Sequence, residues 1–222
     1  MHQPRHLIVQ LLLCFSMLSP GLASAADAQI NVVDQKGNPV NEAIVEIVPS
    51  TGSPVSPAAG NTTIVDQVNK EFVPRVNVVT VGTPVSFPNK DNIHHHVYSF
   101  SEAKRFELPL YEGTPTDPVV FDKAGLVVLG CNIHDWMRGY VYVSETDKHT
   151  KTGEDGKASI QSLDAGDYQV RVWHPRLRKP KELPEYPITL SEGAPQTLTA
   201  EITLKPALRI RRAPRMGNRS YR

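Results

Sequence analysis

Past residue 25, short β-branched runs recur between turn residues, and no stretch keeps the 3.6-residue apolar period of a helix. The runs are "INVVD", "AIVEIVP", "RVNVVTVG", "TPVSFPN", "HVYSF", "VVFD", "LVVLG", "GYVYVS", "KASIQSL", "DYQVRVWH", "YPITLS" and "LTAEITL". Strands this short and numerous, punctuated by Gly, Pro, Asn and Asp, predict an all-β sandwich architecture. The stretch from Ser99 to Tyr111 is of mixed character and leaves room for a helical turn.

The first 25 residues stand apart. Arg5 precedes the apolar run "LIVQLLLCFSML", and the small residues of "GLASAADA" place a cleavage site after Ala25, the pattern of a secretory signal peptide. That run is 12 residues, short of the ~20 a spanning helix needs. Cys14 follows Leu13, where a lipoprotein signal takes a small residue. The reading is an exported, periplasmic protein with residues 1–25 removed and no stable membrane anchor. The formal charge of +1 hides an asymmetry: residues 206–222 carry six arginines and no acid, whereas residues 26–205 carry 17 basic and 23 acidic side chains. A Pro- and Gly-punctuated tail with so little apolar content predicts disorder over 206–222.

Between residue 26 and Lys205 the chain holds one cysteine, Cys131, and one methionine, Met137. An exported chain with one cysteine cannot close an internal disulfide, and a free thiol is a liability in an oxidising compartment. The plain alternative is a buried, inert cysteine packed as a small hydrophobe. Its surroundings favour chemistry. "GCNIHDWMRG" sets His134 between the two sulfurs, and "NKDNIHHHVYSF" supplies His94, His95 and His96, so four of the six histidines after residue 25 share two segments with both sulfurs. Two imidazoles, a thiolate and a weak thioether are the ligand set of a blue copper site, because soft sulfur suits Cu(I) while the nitrogens accommodate Cu(II). Cys131, His134 and Met137 can come from one loop. One nitrogen then remains to be supplied from a neighbouring strand, where His94 and His96 share one face and His95, with Val97, takes the other. A solvated histidine run or another metal such as zinc is the alternative.

These motifs carry two resemblances. "VSFPNKD" followed by His and a strand resembles the first-ligand segment of plastocyanin-type cupredoxins, and "CNIHDWMRG" resembles the C-x2-H-x2-M-x-G loop of amicyanin. The similarity covers Val65 to Val143, and "VYSFSEAKRFELPLYEG" with "GCNIHDWM" looks more specifically like the exported methylamine utilization proteins. It implies a cupredoxin Greek-key β-sandwich holding one type 1 copper ion. Carried over by position, His95 is the first imidazole, Cys131 the thiolate, His134 the second imidazole and Met137 the axial ligand. The chain departs from the pattern where His96 follows the first His, where Gly130 precedes the Cys in place of an aromatic, and where Asp135 replaces a Pro.

The flanking segments "INVVDQKGNPVNEAIVEIVP" and "TKTGEDGKASIQSLDAGDYQVRVWHP" resemble the smaller, prealbumin-like sandwich of carboxypeptidase regulatory domains. Because that pattern is split, it implies an insertion: residues 27–53 and 146–205 form one sandwich and 54–145 the cupredoxin domain, with a simple tandem as the rival. No Ser-His-Asp spacing, phosphate loop or nucleic-acid motif is visible, so neither an enzyme nor a nucleic-acid binder is expected. Trp173-His174-Pro175 is read as a packing or turn element. The expectation is a carrier of single electrons between redox partner proteins, against copper delivery or storage, or a metal-free binding module.

Overall fold

A computed structural model of the chain describes residues 25–52, 61–115, 117–180, 182–193 and 195–207. The leader expected over residues 1–25, apart from Ala25, and the disordered tail expected over 206–222, apart from Pro206 and Ala207, lie outside the described residues. Every regular element described is a strand. They are β1 (Ala26–Asp34), β2 (Ile44–Pro49), β3 (Thr63–Ile64), β4 (Asp66–Val68), β5 (Glu71–Val73) and β6 (Val76–Thr80). β7 (Thr83–Ser86), β8 (His95–Phe100), β9 (Arg105–Tyr111), β10 (Val119–Phe121), β11 (Gly125–Gly130) and β12 (Arg138–Ser144) follow. The chain closes with β13 (His149–Lys151), β14 (Lys157–Leu163), β15 (Gly166–Trp173), β16 (Glu185–Leu190) and β17 (Gln196–Ile202). Among the described residues no helix is long and apolar enough to cross a membrane.

Strand pairing divides the chain by its ends and its middle. β1 lies between β14 and β17, and β2 lies between β13 and β15, with β16 at the edge. The alternation of β1 buries Ala28, Ile30 and Val32, while Val45 and Ile47 of β2 and Val170 and Val172 of β15 join the same core. The middle forms a five-stranded sheet, β6-β12-β11-β8-β9, a three-stranded sheet, β10-β7-β3, and the hairpin β4-β5. Val127, Leu129, Val141 and Val143 pack there against Val85 and Phe121 in a second core.

β12 belongs to both cores. Its period-2 alternation sends Val141 and Val143 into the second core and Tyr140 and Tyr142 into the first. The rings of Tyr140 and Tyr142 lie 5.5 and 6.1 Å from that of Trp173. Beside them Glu46, 4% exposed, accepts hydrogen bonds from Tyr142 Oη at 2.9 Å and Ser144 Oγ at 2.7 Å, with Arg171 3.7 Å away. A carboxylate this buried is tolerable because hydrogen bonds and a cation replace its water. The layers therefore run β14-β1-β17, β13-β2-β15-β16, the five-stranded sheet, then β10-β7-β3.

The helical turn expected between Ser99 and Tyr111 does not form. Arg105–Tyr111 is instead an edge strand that half-buries Phe106 and Leu108 and exposes Arg105 and Glu107. Its pairing with β8 shifts register between His95 and Val97, so β9 carries one extra residue next to Pro109. An edge bulge is where a residue without an N–H is accommodated, which explains the mixed character of the sequence.

Trp173-His174-Pro175 ends β15 inside the first core. Trp173 is buried, and His174 Nδ1 accepts the Arg176 amide at 3.1 Å, with Leu177 N donating to His174 O at 2.9 Å. Burial, with help from Arg176 and Arg75, holds the His174 imidazole down to about 4. In the unfolded chain it takes up a proton near 6.5, so the unfolded state binds more protons between those values. Stability from this group is complete above the unfolded value and is lost as pH falls towards about 4, by roughly 3–4 kcal/mol at about 1.4 kcal/mol per pH unit. Denaturant titrations across this window should show the loss, and His174→Asn should flatten it.

Candidate metal centre

Two segments meet at one end of the five-stranded sheet. The first is the loop before β8, organised by Asn89, whose Nδ2 donates to Ile93 O at 2.8 Å and Tyr111 O at 2.9 Å while its Oδ1 accepts the Asp91 amide at 3.0 Å. The second is the loop 131–137, closed by the antiparallel hairpin in which Gly130 faces Arg138. It turns back on itself where Met137 N donates to His134 O at 2.9 Å. Tyr98 pairs with Gly130, so Cys131 starts its loop beside Val97, on the inward face that His95 shares.

His95 Nδ1 lies 3.8 Å from Cys131 Sγ, and His134 Nδ1 lies 3.6 Å from the same sulfur. One ligand atom from each of the three residues falls within 4.8 Å of the others. Atoms bound to a common ion at about 2.0–2.3 Å stand less than about 4.6 Å apart, and the two imidazole–sulfur separations of 3.8 and 3.6 Å meet that requirement. His95 is 0% exposed, Cys131 3% and His134 9%. Met137 is buried in the same loop. The donor set, two imidazoles and a thiol with no carboxylate in the cluster and a methionine buried in the same loop, suits a soft transition metal.

The other two histidines turn away. His94 is exposed and its Nδ1 lies 3.2 Å from Glu112. His96 is buried on the opposite face of β8, its Nε2 2.8 Å from Glu107. Both contacts are with carboxylates rather than with the cluster.

The His134 imidazole is held below its ordinary value, first by burial and then by His95 and Lys70, with Asp91 opposing. Burial raises Asp91, but hydrogen bonds from His95, Lys70 and Asn69 outweigh it and hold the carboxyl below the usual range.

Two features escaped the sequence reading. A Cβ on Gly130 would meet Tyr98 Cζ at 2.7 Å and Oη at 2.9 Å. The aromatic ring missing from the position before Cys131 is thus supplied across the strand by Tyr98, and any side chain at Gly130 would displace it. The second is Asp91, whose Oδ2 lies 2.7 Å from His95 Nε2; the resemblance of "VSFPNKD" gave this aspartate no role of its own. On the outer side, the His134 ring stands 5.4 Å from that of half-buried Trp136, and Ile133 is 50% exposed. A cleft of about 390 Å³ is lined by Tyr98, Phe100, Gly130, Cys131, Met137 and Arg138 among others, but not by His95 or His134. It runs along the loop rather than opening between the donors.

No protein-family model matches the chain, and no curated protein matches it. Among solved structures the chain is similar to a purple cupredoxin from Nitrosopumilus maritimus, at 25% identity over 38% of this chain and 100% of that one, with a TM-score of 0.33. It is similar to a reduced-state mutant of amicyanin, at 23% identity over 45% of this chain and 99% of that one, TM-score 0.34. A copper-containing nitrite reductase from Thermus scotoductus is matched at 23% identity over 51% of this chain and 28% of that one, TM-score 0.35.

Proposed function

We propose that the protein is an exported type 1 copper protein that carries single electrons, with His95, Cys131 and His134 as the strong ligands and Met137 as the weak axial thioether. The observation that carries this reading is the convergence of His95, Cys131 and His134, one ligand atom from each within 4.8 Å of the others and both Nδ1 atoms within 3.8 Å of the sulfur. In our reading the unit that holds the ion is residues 54–145, inserted into a sandwich made from 27–53 and 146–205.

A copper ion bound there would supply a one-electron couple. The chain's own contribution is rigidity: both ligand segments leave strands of one sheet, so the donors keep their positions through a change of charge. Burial excludes water from the cluster, and four protein ligands leave no place for a substrate, which favours a carrier over an enzyme. We place the docking surface for a redox partner protein at Trp136, whose ring stands 5.4 Å from that of His134, because aromatic side chains dominate interface energetics. Copper capture and delivery by the histidine run has less support, since His94 and His96 pair with Glu112 and Glu107 instead of converging.

Copper titration tests the reading. One equivalent should give an intense visible band and narrow copper hyperfine splitting, both lost and regained on reduction and reoxidation. His95→Ala should weaken copper by more than the roughly 10–100-fold that follows loss of a ligand's hydrogen-bond partner, whereas His94→Ala and His96→Ala should leave affinity nearly unchanged. Equal losses at all three would point to a loose histidine-run site and overturn the assignment.

A further inference from the structure

Asp91 precedes His95 by four residues, and its side chain is 13% exposed. Its carboxylate receives three donors. Oδ2 faces His95 Nε2 at 2.7 Å and accepts the Lys70 amide at 2.8 Å, while Oδ1 accepts the Asn69 amide at 2.6 Å. Asn69 and Lys70 are the two residues between β4 and β5, with φ of 54° and 61°. Positive φ at both central positions is what a two-residue hairpin loop demands, and neither residue is glycine. The bonds to Asp91 therefore hold a turn that Lys70 in particular would not favour alone.

A neutral imidazole carries one proton on one of two nitrogens, and an ionised carboxylate can only accept. With Asp91 against Nε2, the proton belongs on Nε2. Nδ1 is then left with a free lone pair, and Nδ1 is the atom 3.8 Å from Cys131 Sγ. The opposite tautomer would place an N–H where a metal must bind and would leave two acceptors face to face at 2.7 Å. Three simultaneous donors also stop the carboxylate from rotating away.

We propose that Asp91 is a positioning residue that selects the Nε2–H tautomer of His95, presents Nδ1 to the metal, and ties that choice to the Asn69–Lys70 turn. The purpose rests on the copper reading above; the tautomer does not. The same hairpin reaches β12, the strand that leaves the second ligand segment, because Phe72 of β5 is packed so closely on Gly139 that a Cβ there would come within 3.0 Å of it. One hairpin thus braces the ligand from β8 through Asp91 and the ligand loop through Gly139.

The test starts with the metal-free protein, histidine-labelled with ¹⁵N and held at a pH where the ring is neutral. In the native chain His95 should show a protonated Nε2 and an unprotonated Nδ1. Asp91→Asn should mix or reverse the tautomers and lower copper affinity by about 10–100-fold, the range for losing a ligand's hydrogen-bond partner. Asp91→Glu, which keeps an accepting carboxylate, should recover much of both. A native His95 protonated on Nδ1 would overturn the proposal, as would an Asp91→Asn protein that loses stability but keeps the native tautomer and affinity. If the native chain takes up no copper, the copper reading fails, while the tautomer measurement still decides the role of Asp91.

Discussion

Cys131→Ser is expected to abolish the intense visible absorption of the copper-loaded protein while leaving the sheets folded. The thiol is 3% exposed and sits 3.6 and 3.8 Å from the two imidazole nitrogens, so it is the one donor that faces both histidines. An alcohol is close to it in size but is neither soft nor readily deprotonated, and so cannot replace the thiolate that suits Cu(I) or give its charge-transfer band. The fold should survive because the serine hydroxyl can hydrogen-bond a neighbouring Nδ1 and need not be buried unpaired. Visible and copper resonance spectra read the first effect and far-UV circular dichroism the second. A coloured variant would remove Cys131 from the ligand set, and a colourless but unfolded one would show that the thiol is held for packing.

Trp173→Ala should produce the largest loss of stability, about 3–5 kcal/mol, the range for truncating a buried Trp. Trp173 is 2% exposed and lies against both Tyr140 and Tyr142. Removing it opens a cavity where the sheet β13-β2-β15-β16 meets β12. Its Nε1 has no hydrogen-bond partner, so Trp173→Phe sacrifices volume and ring contact without breaking a bond and should cost distinctly less. Denaturant unfolding separates the two. If Trp173→Ala costs less than about 1 kcal/mol, the aromatic contact is not what joins the layers, and the Glu46 hydrogen bonds become the better candidate.

The longer strands were legible as β-branched runs between turn residues, and β1, β14 and β17 also alternate in burial over five or more residues. Of the shortest, β10 was still read as "VVFD", but β3, β4 and β5 were not: they span only two or three residues each, too few for any period to register. The turn expected near Ser99–Tyr111 went astray because Pro109 breaks the alternation at an edge bulge. Cys131, His134 and the histidine run stood out in the sequence through the scarcity of sulfur and the clustering of imidazole. Asp91 and Tyr98 did not, because each acts across space on a residue that another segment supplies. An aspartate in a polar loop and a tyrosine in a strand carry no local mark of that.

The pairing of β1 with β14 and β17 has a consequence for the order in which the chain can fold. Ala28 faces Ile160 on one side and Gln196 on the other, contacts that span most of the polypeptide. Closing loops of that length in an unstructured chain is entropically costly, and folds dominated by distant contacts form slowly. Nearer the junction, Ile47 N donates to Lys148 O at 2.9 Å, so the middle of the chain begins and ends at nearly the same place. Once the middle has folded, it brings the two arms together and shortens the effective closure to little more than a hairpin. If the middle folds first, as an inserted unit would, the two arms already lie side by side when β1 meets β14 and β17, and a lesion that delays the centre delays the periphery with it.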